Sequence, residues 1–451
     1  MNTEDLLLIP LYGTLILIIS YIIRELFYRK YTYKRYFLSG LIVKLIGALL
    51  FAAVYQFYYQ GGDTIEYHRA GNIMYRAFVA DHEVGWELLT LPVGEITIRN
   101  VRYAEQIGPF FYSANSVFVS RLDAFLGLFC FGNFWVISMF FAVISFSGLW
   151  ALFRVFISIF PHLLREAAIA VFFLPSVFFW GSGIMKDTLS IACLGWLVYC
   201  IYHLFTRQNR ILLSLLVIPI TVKTLLVLKA YIVAGMVPAI SYWLIGHYYS
   251  LLRGEALRRF IRWTVCFVIL TIAYLNRSML LDSFNNGLIR FAQMAIAYQG
   301  WHSFLGEVIG GTSAYSLGEI DFTPWGIIKK FPASVVATFF RPYIYEVNTP
   351  IALFTACEST FMLLLTLYTL AKKGILNILS NIFRHPFIGF CVIFALLFGF
   401  AVGFSTFNFG ALARYKIPCL PFYVFALYAI LTPPPPLPQT TYLLDKPAAS
   451  T

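Results

Sequence analysis

Side chains that could do chemistry are unusually dense in one short stretch near the N-terminus. Residues 61–69 read Gly-Gly-Asp-Thr-Ile-Glu-Tyr-His-Arg and directly follow a long apolar, aromatic run. The two glycines let the chain turn sharply as it leaves that run. A carboxylate or an imidazole held at a membrane–water boundary can accept a proton from a hydroxyl group. Asp63, Glu66 and His68 are therefore candidate catalytic residues, although Asp63 would equally suit the cap of a following helix.

The composition shows what kind of frame must hold this stretch. Hydrophobic residues make up 60% of the 451 residues and charged residues only 12%. Both values are far from those of a soluble globular chain, and the apolar runs are too long for soluble core elements. We predict an all-α, polytopic transmembrane helix bundle that forms a single integral membrane domain over residues 1–432. The proline-rich residues 433–451 are predicted to be a disordered cytoplasmic tail.

Apolar windows long enough to cross a bilayer occur about eleven times in the chain. A span needs about 20 residues, or fewer where a helix is broken. The predicted spans are Leu6–Ile23, Phe37–Tyr59, Phe134–Phe153, Ala167–Trp180, Thr188–Phe205, Ile211–Leu226, Ala230–Tyr249, Phe260–Leu275, Ile351–Leu370, Pro386–Phe404 and Ile417–Leu431.

The charges in the loops orient these spans. Basic residues collect in loops that share one side if the N-terminus is outside and the C-terminus is inside, so that side is predicted to be the cytoplasm. Acidic residues collect in two long outer loops, residues 60–133 and 276–350. Residues 283–298 of the second loop place Phe284, Leu288 and Phe291 on one face, which predicts a helix lying on the membrane surface. We therefore expect any chemistry on the outer face of a cell inner membrane.

The net charge of +12 does not indicate a nucleic-acid partner, because the basic residues lie in short loops between apolar runs. The seven cysteines are scattered without metal-ligand spacing, so neither a metal nor another cofactor is predicted. Phosphate-loop, zinc-protease and serine-hydrolase motifs are absent from the sequence. An ATP-driven pump and a membrane hydrolase are therefore poorly supported.

Cations on the predicted outer side form the second set of candidates. Lys186 follows a Gly-Ser-Gly hinge at the start of a span, and Lys229 lies in another short outer turn. Arg341 stands between aromatic residues, where it could be an interfacial anchor or could bind a phosphate through its fork of donors. Arg414 and Lys416 lie outside against the positive-inside bias, which favours a functional role. These five cations are candidate ligands for a substrate phosphate, whereas Lys44, inside the second span, could merely reach towards the interface.

Two groups of motifs resemble known bacterial membrane enzymes. The Asp63–Arg69 segment resembles the first outer loop of GT-C-type glycosyltransferases, where an Asp after an early span, often with a Tyr a few residues on, acts on a polyprenyl-linked sugar. Asp63 and Tyr67 match that pattern. The Arg341-Pro342 pair and residues 408–418 are similar to segments of O-antigen or exopolysaccharide polymerases. That resemblance implies outer-face arginines on a lipid pyrophosphate and no metal.

The sequence therefore predicts a membrane glycosyltransferase or polysaccharide polymerase that uses a polyprenyl-phosphate-linked saccharide at the outer face. Its partners would be that lipid-linked glycan and the bilayer, and its oligomeric state is left open. Two alternatives stand beside this hypothesis. One is a transporter or flippase of the same lipid-linked glycan, and the other is a non-enzymatic scaffold for surface assembly.

Overall fold

The fold is given by a computed structural model that describes residues 3–251, 293, 297, 300, 315–318, 321, 323–347 and 349–432. Within these residues the regular elements are helices, and no β-strand is present. Seven helices of the described part are long and apolar enough to span a membrane. The predicted all-α class with apolar helices of spanning length is thus confirmed, whereas the count of about eleven spans stays a prediction.

The chain divides into two compact units between Val233 and Ala234, and each is described by itself. The helices up to this division are α1 Thr3–Tyr28, α2 Arg35–Ala53, α3 Asp63–Ala80, α4 His82–Thr90, α5 Val101–Ile107, α6 Ala114–Cys130, α7 Phe134–Ile159, α8 Leu164–Phe172, α9 Pro175–Phe179 and α10 Lys186–Ile201, followed by α11 Ile211–Leu251, which contains the division. The C-terminal unit continues with α12 Pro324–Lys329, α13 Phe331–Phe340, α14 Pro350–Lys373, α15 Ile375–Arg384, α16 Pro386–Ser405, α17 Phe409–Tyr415 and α18 Leu420–Leu431.

Five predicted spans differ from the structure or lie outside the described residues. Ala167–Trp180 is broken into α8 and α9, because Pro175 cannot continue a helix from α8. Ile211–Leu226 and Ala230–Tyr249 are two stretches of α11, separated by non-helical backbone at Lys229. The last predicted span contains a helix of only 12 residues, α18. Phe260–Leu275, like most of the predicted surface helix at 283–298 and the tail at 433–451, lies outside the described residues.

Side-chain contacts fix the directions of the helices in the N-terminal unit. Tyr12 packs on Phe140 and Tyr28 on Trp150, so α1 runs parallel to α7. Trp196 Nε1 donates to Ser147 Oγ at 3.1 Å, and Ser158 Oγ lies 2.8 Å from the Tyr202 hydroxyl, so α10 is also parallel to α7. The connection through α8 and α9 must therefore return the chain from one end of the unit to the other. It acts as a crossing although it is not one continuous helix.

These directions define two ends of the N-terminal unit. The Asp63 end carries the starts of α3, α7 and α10 together with Lys229, which forms an ion pair with Asp187. The Arg154 end carries the last turns of α1 and α7 and the π-helical turn Tyr202–Thr206 that follows α10. The Asp63 end corresponds to the predicted outer side, and the Arg154 end corresponds to the predicted inner side.

The contact between α7 and α10 is made by glycine. A Cβ added at Gly148 would collide with the Ala192 carbonyl oxygen, and one at Gly195 would collide with the Gly148 carbonyl oxygen. The two backbones thus touch directly, which is the close approach that small residues allow between helices in a membrane.

The broken connection between α8 and α10 is held by α2. Lys44 is completely buried, and its ammonium group donates to the carbonyl oxygens of Val177, at 3.1 Å, and Gly181. Lys44 therefore does not reach towards the interface but binds one carbonyl in α9 and one just after it, where a helix C-terminus favours a cation. A side chain at Gly47 of α2 would collide with the Phe178 carbonyl oxygen, so α2 and α9 pack backbone to backbone.

Helices α3 to α6 fold over the Asp63 end as a small layer with its own core. Ala70, Met74 and Ala77 of α3 are buried against residues of the other three helices. Asp81 starts α4 by accepting a hydrogen bond from the Glu83 amide at 2.9 Å. This layer holds α3 in place and thereby positions the residues that follow Gly62.

The glycine contact between α7 and α10 should be essential for stability. We expect Gly148→Leu and Gly195→Leu each to lower the free energy of unfolding by about 3 kcal/mol or more, because a rigid backbone cannot move aside for the added atoms. The measurement is the thermal unfolding midpoint of purified protein in detergent. Gly235→Ala is the matched control, because its added Cβ would lie 3.7 Å from Phe394, an ordinary contact. Equal midpoints for all three variants would contradict the packing described above.

Candidate functional site

Asp63 is the first residue of α3 and is exposed. Gly62, at φ 103°, is the N-cap, so the carboxylate of Asp63 belongs to the first helical turn rather than to the cap itself. A non-glycine residue at position 62 would be strained by this φ and would press on the Tyr55 ring. The positive end of the helix dipole favours a carboxylate at this place.

Lys186 stands on the same side of α3 as Asp63. Its ammonium group donates to Asn115 Oδ1 at 2.7 Å and lies 5.4 Å from the centroid of the Tyr67 ring. Tyr67 is four residues after Asp63, so the two side chains share one face of the helix. The start of α3 thus carries a carboxylate and a phenol, and the starts of α6 and α10 place an amide and an ammonium group beside that phenol.

Lys229 is engaged in a buried ion pair with Asp187. Only 7% of Lys229 and 1% of Asp187 is exposed. The backbone of Lys229 is non-helical (φ −153°), and this interruption of α11 aims the side chain at the start of α10. Because breaking a buried pair leaves an uncompensated charge, this pair has a clear structural role. The predicted role of Lys229 in phosphate binding stays a prediction.

His68 of α3 pairs with Asp123 of α6. Its Nδ1 lies 3.1 Å from both carboxylate oxygens, and Asp123 is 1% exposed. Burial raises the pKa of Asp123, and the charge and hydrogen bond of His68 act in the opposite direction. Sequence reasoning missed Asp123 as the partner, because 55 residues separate the two. The available signal was a carboxylate inside the otherwise apolar run 122–131.

Glu66 makes a surface ion pair with Arg69, with distances of 2.9 Å from Nε and 2.8 Å from Nη2. Arg69 also donates to the Gln106 carbonyl oxygen at 3.0 Å, which ties α3 to the end of α5. Both side chains are more than 40% exposed, so the pair contributes little to stability. Glu66 is therefore engaged in a local contact.

A polar cavity of about 290 Å³, here called the Trp135 cavity, lies on the next turns of α3 at the same end of the unit. Two buried polar atoms in its wall have no hydrogen-bond partner among the described residues, namely Trp135 Nε1 and Gln56 Oε1. Such atoms are rare in folded proteins and point to a ligand or to water. Sequence reasoning did not single out this cavity. Its lining is Asp5, Leu8, Gln56, Asn72, Tyr75, Arg76, Phe131, Gly132, Asn133, Phe134 and Trp135.

Arg341, in the C-terminal unit, is held by Glu346. Its Nε lies 3.1 and 3.2 Å from the two carboxylate oxygens, and the guanidinium group lies 5.4 Å from the Tyr315 ring and 5.2 Å from the Phe409 ring. Partial burial alone would raise the pKa of Glu346, but hydrogen bonds from Arg341 and from the Tyr343 amide lower it. The charge of Arg341 is thus largely balanced within its own loop.

Lys416 and Arg414 of the same unit differ in accessibility. Lys416 is completely buried and donates to Ser359 Oγ at 3.0 Å, and Ser359 in turn donates to the Arg341 carbonyl oxygen at 3.0 Å. Arg414, in the last turn of α17, is half-buried, and its guanidinium group lies 5.8 Å from the Tyr415 ring. Arg414 is therefore better placed than Lys416 to meet a ligand from solvent.

The chain matches no protein-family model, no curated protein and no solved structure. Among the residues that the structure describes, no group of three or more His, Cys, Asp and Glu side chains is arranged to hold a metal ion.

Variants of His68 should separate a structural from a catalytic role. We expect His68→Ala to lower stability by about 3 kcal/mol, because it leaves the Asp123 carboxylate buried without its partner. His68→Gln, which can still donate a hydrogen bond, should retain most of that stability. Combining His68→Leu with Asp123→Leu should recover stability relative to His68→Ala, since neither charge is then buried. Thermal unfolding in detergent measures these differences, and a stability for His68→Ala equal to wild type would refute the structural role.

Proposed function

We propose that the chain is a membrane glycosyltransferase or polysaccharide polymerase that transfers a saccharide from a polyprenyl-phosphate carrier at the outer face of the membrane. The observation that carries this proposal is the Lys186 ammonium group, 5.4 Å from the ring of Tyr67, which lies one helical turn after Asp63 on α3. A general base and a cation are the two groups that such a transfer needs. The class of acceptor is a sugar hydroxyl.

In this mechanism the acceptor hydroxyl attacks the anomeric carbon of the donor sugar while Asp63 accepts its proton. The bond between that carbon and the carrier phosphate breaks, and its electron pair leaves with the phosphate oxygen. Lys186 stabilises the negative charge that develops there, and its hydrogen bond to Asn115 holds the ammonium group in place. Positioned charges of this kind are usually the largest single contribution to such catalysis.

The Trp135 cavity supports a saccharide as the bound group. Asn72 in its wall is nine residues after Asp63, which corresponds to about 13 Å along the helix axis. The cavity would therefore hold sugar units at a distance from the reacting bond rather than the bond itself. Its amide, carboxylate and indole groups offer both donors and acceptors, which hydroxyl-rich ligands require.

Two substitutions at the start of α3 and α10 test the enzyme proposal. Asp63→Asn should slow transfer by about 100-fold or more, because the amide cannot accept the proton. Lys186→Met should slow it by a similar factor through loss of charge stabilisation. The assay is elongation of a synthetic polyprenyl-pyrophosphate-linked disaccharide by purified protein in lipid nanodiscs, with Arg414→Ala as a parallel test in the C-terminal unit.

The matched control is Glu105→Gln, which removes an exposed carboxylate of α5. This variant should elongate at the wild-type rate, and all variants should insert and purify alike. Elongation by Asp63→Asn and Lys186→Met at the rate of Glu105→Gln would refute the catalytic roles. Tolerance of every charge removal would favour a non-enzymatic scaffold.

One observation favours a transporter of the lipid-linked glycan as the second candidate. The interruption of α11 at Lys229 and its buried pair with Asp187 are features that transporters use at their binding sites. If the protein is a transporter, Asp187→Asn together with Lys229→Met should abolish the movement of a fluorescent lipid-linked disaccharide across liposomes. Movement that is lost in this double variant and kept in Asp63→Asn would favour transport over transfer.

A further inference from the structure

A second cavity, of about 330 Å³, lies at the Arg154 end of the N-terminal unit and is here called the Arg154 cavity. About 30 Å of helix, the length of α10 and its π-helical turn, separates it from Lys186. It is lined by Phe27, Tyr28, Tyr31, Tyr33, Arg154, Ile157, Ser158, His203, Arg207, Asn209 and Arg210. Among the described residues that line it, none is an Asp or a Glu, and three of them are arginines.

Arg154 and Arg210 converge on one tyrosine. Arg154 donates to the hydroxyl groups of Tyr28, at 3.2 Å, and Tyr199, and its guanidinium group lies 4.5 Å from the Tyr199 ring. Arg210 lies 5.9 Å from the same ring. Because the partners of Arg154 are neutral hydroxyls and rings, its positive charge is fixed in position but not cancelled.

Arg207 forms the next part of the wall. Its Nε donates to the Tyr202 hydroxyl at 2.9 Å and its Nη2 donates to Ser158 Oγ at 3.2 Å. The turn that carries Arg207 and Arg210 contains left-handed backbone at Gln208 and at Arg210 itself. This bend brings both arginines back towards the ends of α7 and α10. In the same turn, His203 Nδ1 lies 2.5 Å from Asn209 Oδ1, within hydrogen-bond distance.

Topology alone would explain basic residues on this side, and helix C-termini favour cations. Neither reason explains the geometry, however, because Arg154 donates to two tyrosine hydroxyls rather than to helix carbonyls, and Arg207 donates to a tyrosine and a serine hydroxyl. Like charges held close together repel one another, so an anion in the cavity would relieve this repulsion. The guanidinium fork is also the donor group that best matches phosphate oxygens.

We propose that the Arg154 cavity binds the phosphate group of a ligand on the predicted inner side, independently of the function proposed above. The volume is at the lower end of the range for small-molecule sites, which suits a small phosphate ester or a single lipid headgroup. Arg154 forms the floor, and the exposed Arg210 and Asn209 form the rim. Both sources of phosphate present the same chemistry to these residues.

The test uses the full-length protein and two probes. Inorganic pyrophosphate is titrated calorimetrically into protein in neutral detergent, and thermal stability is compared in nanodiscs of phosphatidylglycerol and of phosphatidylcholine. We expect at least one probe to bind: pyrophosphate if the natural ligand is soluble, or phosphatidylglycerol alone if it is a lipid headgroup. Arg210→Gln should weaken that binding about ten-fold, as expected for loss of one charged hydrogen-bond donor.

Arg165→Gln is the matched control, because Arg165 is an exposed arginine on the same predicted side that does not line the cavity. It should bind within about two-fold of wild type, since an exposed and distant charge is screened by salt. Arg210 is on the rim, so its replacement leaves the packed floor intact, and unchanged chromatographic behaviour checks this. Failure of the wild type to bind either probe, or equal weakening by Arg210→Gln and Arg165→Gln, would overturn the proposal.

Discussion

Gly148 and Gly195 bring the backbones of α7 and α10 into direct contact, and the rest of the N-terminal unit follows from that contact. Because the two helices run in the same direction, the chain between them has to return through the unit. It does so as a broken helix, α8 and α9, whose backbone groups need partners that an apolar environment cannot supply. Lys44 provides them for the Val177 and Gly181 carbonyls, and the return ends at Lys186, the start of α10.

The charged candidate residues differ in the contacts that they make within the fold and in their exposure to solvent. Lys229 and Arg341 each have a carboxylate partner, and Lys416 is enclosed with Ser359. A phosphate would have to compete with these contacts to reach the cations. Asp63 is accessible because it is exposed at a helix start, and Lys186 is partly exposed and donates to the Asn115 amide oxygen. For this physical reason we consider Asp63 and Lys186 the most informative positions for mutation.

Features encoded by periodicity and loop charge could be predicted from the sequence, and features that depend on tertiary contacts could not. The spans at α1, α2, α7, α10, α14 and α16 are long apolar runs, and the structure has candidate spanning helices there. The start of α3 after Gly62 also follows from local chemistry. The pairing of His68 with Asp123 and the burial of Lys44 against the α9 connection join residues 55 and 133 or more positions apart. Both cavities arise in the same way, from side chains on several helices.

The positions of the buried charges in the N-terminal unit indicate whether their polar contacts serve only stability. A charge inside a membrane protein costs several kcal/mol unless it is paired or has a function, and well-packed apolar residues often stabilise a fold at least as well. Lys44, the Asp187–Lys229 pair and the His68–Asp123 pair all surround the elements that hold Asp63 and Lys186. These contacts lie between α2 and the α9 connection, between α10 and α11, and between α3 and α6. They can therefore fix the starts of α3 and α10 in position, and on this ground we propose catalysis rather than a purely structural role for the Asp63 end.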